Sequence, residues 1–196
     1  MTILDASAYT GLIATALLTL NLLLGMLLGT AYKKHPLWKR LPSRIQQLGV
    51  LHIHNWTAYV ALLFVLVHPF LLLFDASTKF SFIDLVFPIN APHQKLPVAL
   101  GTVALFALLL VIITTQKTIK KRLGFRTWKN IHLVSYGTAL LFIIHGILLD
   151  PQLKDRPVDF FDAEKVVSEA CAIVLIAASI VRYNYYLKKR VVNQKR

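Results

Sequence analysis

The chain has a single cysteine, Cys171. That excludes an intrachain disulfide and any metal site built on several thiolates. Acidic residues are scarce, nine against 22 lysines and arginines, and the formal net charge is +13. None of the nine stands in the middle of an apolar run; Glu169, the nearest, falls in the first turns of the last one. A carboxylate-lined ion path is therefore disfavoured. No G-x-G-x-x-G occurs, so no dinucleotide-binding turn is present to accept a hydride. Short segments of strict apolar–polar alternation are also missing, which argues against a membrane β-barrel.

What the chain has in abundance is apolar length. Hydrophobic residues make up 56% of the sequence, and the mean hydropathy is +0.59. This is too apolar for a water-soluble domain of the same size. Several uninterrupted runs reach the ~20 residues needed to cross a bilayer. They predict an all-α, polytopic membrane helical bundle with five transmembrane helices, at about residues 9–32, 48–74, 96–119, 128–149 and 164–187. The first run is too long for a signal-peptide core and lacks the flanks of one, so it reads as a retained helix. Prolines 36 and 42, then 88, 92 and 97, then 151 and 157 punctuate the linkers. The apolar stretch 80–87 is too short to span and is expected to lie at the interface or fold back over the bundle. Gly25 and Gly29 form a small-xxx-small step for close helix approach. With no repeat and no low-complexity tract, residues 1–196 read as one domain.

The charges are sorted. Seventeen of the 22 basic residues lie in three places: Lys33, Lys34, Lys39, Arg40 and Arg44 after the first helix; Lys117, Lys120, Lys121, Arg122, Arg126 and Lys129 between the third and fourth; and Arg182, Lys188, Lys189, Arg190, Lys195 and Arg196 at the end. No acid stands among them. Asp5, Asp75, Asp84, Asp150, Asp155, Asp159, Asp162, Glu164 and Glu169 all belong to the opposite side. In a soluble chain this net charge would suggest nucleic acid, but sorting by side reads as topology. The positive-inside rule puts the N-terminus out and the C-terminus in.

Four histidines stand inside two of the runs, His54 and His68 in the second and His132 and His145 in the fourth. A buried imidazole in lipid is costly, and neutral imidazole is the commonest metal ligand. The first pair is 14 residues apart, about 21 Å of helical rise and only ~40° off one face. The second is 13 apart, about 20 Å of rise but ~140° off one face. That offset requires either a distortion near Gly137 or two sites at different azimuths. Both helices run the same way, so His54 pairs with His132 near the cytoplasmic end and His68 with His145 near the outer end. Two bis-histidine irons, as in haem, would use all four rings. His52 points to another face, and His35 and His93 fall in loops without an assigned role.

With His132 and His145 goes the run Leu123-Gly124-Phe125-Arg126-Thr127-Trp128-Lys129-Asn130-Ile131-His132. Together with the 14 and 13 spacings it resembles the ferric reductase-like transmembrane domain, the superfamily of ferric reductases, NADPH oxidases and the haem subunit of the bacterial methionine sulfoxide reductase system. The resemblance covers roughly residues 20–190. It implies two haem b groups held by His54, His68, His132 and His145, carrying electrons from a cytoplasmic flavin, FMN or FAD, to an outer acceptor. Six helices are usual in that family, and five are read here. The expected function is an electron-transfer cytochrome of the bacterial inner membrane. It would be served by a cytoplasmic flavin reductase or reduced flavin, with Arg44, Arg122, Arg126 and Lys129 meeting propionates or flavin phosphates. Trp56, Phe64 and Phe142 are candidates to fill the space between the irons. The rival readings are a haem carrier or sensor without redox function, and a histidine-lined transporter.

Overall fold

The computed structural model describes residues 2–154 and 156–194; Asp155, Lys195 and Arg196, counted above among the sorted charges, lie outside them. Five long helices are present: α1 (Ile3–Leu28), α2 (Val50–Leu71), α3 (Lys95–Thr115), α4 (Lys117–Leu148) and α5 (Ala163–Gln194). Each contains a stretch long and apolar enough to cross a membrane. No strand occurs among the described residues. The expected class and helix count are both met.

Three boundaries differ from the sequence expectation by more than four residues: α5 continues to Gln194 rather than ending near Leu187, and the starts of α1 and α4 differ for local reasons. Helix α1 begins at Ile3, not near Tyr9, because Thr2 and Asp5 form a capping box. The Thr2 hydroxyl accepts from the Asp5 amide at 3.1 Å and the Asp5 carboxylate from the Thr2 amide at 2.7 Å. Two of the orphan amides of the first turn are thereby satisfied. Helix α4 begins at Lys117 rather than Trp128, with one break. Gly124 has φ 74° and ψ 161°, a backbone that only glycine takes without strain. Residues 117–123 thus form a basic arm that turns into the spanning helix, 125–148. That helix is regular through Gly137, so His132 and His145 leave it at different azimuths and no local distortion is needed.

Helix α1 packs antiparallel on α2, and α3 antiparallel on α4, while α5 lies against α1 and α4. Helices α2 and α4 make next to no direct contact. The central core is small: Ala14 and Leu18 of α1, Ala61 and Val65 of α2, and Leu108 and Ile112 of α3 close the middle of the bundle. Large apolar side chains instead face outward, such as Leu63, Val103 and Ile176. This inside-out pattern suits lipid, where apolar burial drives little and close packing and hydrogen bonds hold helices together.

One end of the bundle gathers the start of α1, the ends of α2 and α4 and the start of α3; here it is termed the acidic end, and the opposite one the basic end. The acidic end is tied down by Gln94, whose side chain accepts from the Asp150 amide at 2.8 Å and donates to the Lys154 carbonyl at 3.1 Å. Asp150 also pairs with Arg156 at 2.8 Å. The stretch 80–87 folds back over the bundle, one of its two expected placements. A short helix, Phe82–Val86, is capped by Ser81 and Asp84. It exposes Phe82 and Ile83 and is held to α3 by the Thr102 hydroxyl, which donates to the Leu85 carbonyl at 3.0 Å.

Candidate functional site

The four histidines meet in the pairs that their depths suggested. The His54 and His132 rings have centres 6.2 Å apart with planes at 75°. The His68 and His145 rings are 6.0 Å apart at 81°. A metal–imidazole bond is about 2 Å, and the ring centre lies about 1 Å further, so two rings on opposite sides of one metal have centres about 6 Å apart. Both pairs have that separation. Each opens into its own cavity between α2 and α4, of about 260 Å³ at the acidic end and about 200 Å³ at the basic end.

Three of the four rings are held from behind. His68 Nδ1 lies 2.7 Å from the Ser7 carbonyl, His54 Nδ1 3.0 Å from the Asn21 carbonyl and His145 Nδ1 2.7 Å from the Pro97 carbonyl. Each contact fixes the tautomer and leaves Nε2 as the free nitrogen. Side chains on α1 return the contact. The Ser7 hydroxyl donates to the His68 carbonyl at 2.8 Å, and the Asn21 amide to the His54 carbonyl at 2.5 Å. His132 differs: its Nδ1 is buried without a hydrogen-bond partner. Its ring stacks instead on Trp128, centres 5.3 Å apart and planes at 23°, and the Lys120 ammonium sits 3.6 Å above that indole.

The acidic-end cavity is mostly apolar, lined by Val65, Leu66, Leu105 and Phe106 and roofed by Phe82, Leu85 and Val86, with Ser7, Thr15, Thr102 and Glu164 among its polar lining residues. The basic-end cavity carries Asn21, Asn55, Tyr59, Thr115, Tyr136 and Arg182. Arg182 donates to the Tyr136 hydroxyl and lies over the Tyr136 and Tyr186 rings. It is the cation that lines this cavity, and the sequence marked it only as a topology charge. Arg44, Arg122, Arg126 and Lys129 are exposed at the same end. Phe142 lines both cavities and so stands between them, with Phe64 packed beside the central core. Trp56 does not: it is 61% exposed and donates to His52 at 3.2 Å, on the bundle's outer surface. His93 rests against Phe80, and His35 caps a short helix by accepting from the Leu37 amide.

Residues 10–143 match the family model of the ferric reductase like transmembrane component. The chain belongs to that family. Family membership makes it a membrane electron-transfer component by kind. Comparison with curated proteins and with solved structures found no match.

Proposed function

We propose that this family member is a b-type cytochrome that carries electrons across a membrane through two bis-histidine haems, one on His54 and His132 and one on His68 and His145. The observation that carries the reading is the pair of ring separations, 6.2 and 6.0 Å, each across its own cavity. The donor set fits haem better than a bare ion. Among the described residues no group of three or more histidine, cysteine, aspartate or glutamate side chains converges. Two imidazoles leave a lone ion under-ligated in apolar surroundings, whereas a porphyrin brings four further nitrogens and apolar faces that suit these walls.

When bound, haem supplies a one-electron iron couple at each end of the bundle. The residues do the rest. The Ser7, Asn21 and Pro97 carbonyls orient their histidines and raise the basicity of Nε2. Two protein ligands per iron leave no open position, so exchange with donor and acceptor is outer-sphere. Arg182 at the cavity, with Arg44, Arg122, Arg126 and Lys129 exposed at the same end, gives the basic end the charge to hold propionates and to attract the phosphates of FMN or FAD. By the positive-inside rule that end is cytoplasmic, the N-terminus is outside, and the donor is a flavin reductase or reduced flavin. The bacterial inner membrane is the setting we infer, with residues 1–196 acting as one di-haem domain.

The test is the protein in liposomes with ferricyanide trapped inside and reduced FMN added outside. The reading predicts that the trapped oxidant is consumed, and that vesicles holding His68→Ala protein consume it far more slowly. A haem-loaded protein that never passes electrons to the trapped oxidant would favour a carrier or sensor instead.

A further inference from the structure

The three anchored histidines share one local device. The carbonyls they reach belong to residues 7, 21 and 97, and the residues four further on are Gly11, Gly25 and Gly101. In an α-helix the Cα–Cβ bond leans toward the N-terminus, so the side chain at i+4 overhangs the carbonyl of residue i. That carbonyl already accepts the i+4 amide but keeps a second lone pair. A ring reaches it only if nothing overhangs. A Cβ on Gly11 would stand 2.9 Å from His68 Nδ1, one on Gly25 3.2 Å from His54 Cε1, and one on Gly101 2.8 Å from His145 Cε1. Each glycine is a notch into which an imidazole edge fits.

On α1 the device repeats with the period of the α2 histidines. On α1 the step from Ser7 and Gly11 to Asn21 and Gly25 is 14 residues, the step from His54 to His68. On α3, which packs on α4 with its histidines 13 residues apart, Thr114 and Thr115 stand 13 and 14 residues beyond Gly101. Thr115 lines the cavity that holds His132. It carries a Cβ, and the Thr114 hydroxyl already lies 3.0 Å from the Val111 carbonyl. No glycine stands at this place on α3, and His132 Nδ1 has no partner.

Resting on the haem reading, we infer that Gly11, Gly25 and Gly101 are positioning residues for three iron ligands, and that the lack of a glycine notch at Thr114 and Thr115 makes the His54–His132 iron the easier of the two to reduce. A hydrogen bond from Nδ1–H to a carbonyl makes imidazole a stronger donor and favours the ferric state. The acidic-end iron has two such ligands and the basic-end iron one.

The experiment is a redox titration of the purified full-length holoprotein, with haem counted per chain and ferric spectra recorded by electron paramagnetic resonance. His54→Ala and His68→Ala proteins assign each wave. The wild type should show two waves, the higher belonging to the His54–His132 site. Thr114→Ala/Thr115→Gly, which removes side-chain atoms and adds none, should shift that wave downward with the haem count unchanged. Gly25→Ala should perturb only that site, and Gly11→Ala or Gly101→Ala only the other. Two haems per chain with the His54–His132 wave the lower one, or unmoved in the double variant, overturns the inference and leaves the haem reading standing. A wild type without haem overturns both.

Discussion

The two histidine pairs lie in one bundle, at similar ring separations, yet in different surroundings. At the acidic end both rings are clamped to helix carbonyls, the walls are mostly apolar and a short helix covers the cavity. At the basic end one ring is clamped and the other is held only by stacking on Trp128, with Arg182 and Tyr136 among the lining side chains. The difference teaches that the pairing of the rings and the hydrogen bonds behind them are set separately. Depth along α2 and α4 places the rings, while the composition of α1 and α3 decides how firmly each is held.

The comparison is broken most severely by removing a ligand. His68→Ala or His145→Ala should cost the acidic-end haem and leave the basic-end one, halving the haem per chain. Next in size, Arg182→Ala should loosen only the basic end. It removes the charged partner of the Tyr136 hydroxyl, an interaction worth about 1.5–3 kcal/mol, and should appear as faster haem loss from that site in a transfer assay. Trp128→Leu should be milder, since stacked aromatic pairs contribute about 0.5–1.5 kcal/mol beyond area. It should alter the ferric spectrum of the basic-end haem while the other stays fixed.

The smallest effect concerns pH. The Arg156 guanidinium beside Asp150 holds its carboxyl below the ordinary carboxylate range. A depressed folded-state value stabilises the fold above the unfolded value of about 3.9 and is lost as pH falls through the folded one. The Asp150 contribution is therefore fully present at neutral pH, where thermal stability should be insensitive to pH, and should be lost only in strong acid. In Asp150→Asn that acid-dependent step should shrink, and the neutral-pH melting temperature should drop slightly. A melting series from pH 7 to 3 checks both.

Much of this was legible in the sequence. Apolar runs of spanning length gave five helices because lipid forces every backbone polar group into intrahelical bonds. The histidine spacings gave the pairs because rise per residue converts directly into depth. The azimuth of His145 relative to His132 was not readable, since it depends on how α4 sits between its neighbours. The start of α1 was missed because its first turn, with Asp5 and Ser7, looks like a flank; the Thr2–Asp5 box was there to be read. Arg182 was hidden among topology charges, as only the packing of α5 on α4 brings it to the cavity. The notches had a signal, Gly11 and Gly25 at the same 14-residue step as His54 and His68. The Gly25–Gly29 step had pointed to helix contact, but Gly25 admits a histidine ring and Gly29 lies against Arg182.

The central claim is most directly tested by counting haem per chain in the purified protein and recording oxidised and dithionite-reduced spectra with the ferric resonance. The account predicts two b-type haems per chain, both six-coordinate and low-spin. Ring planes at 75° and 81° should give both the strongly anisotropic signal of crossed imidazoles. No haem after expression with ample supply, or haem that persists when His54 and His132 are both replaced and the other pair is removed as well, would contradict it.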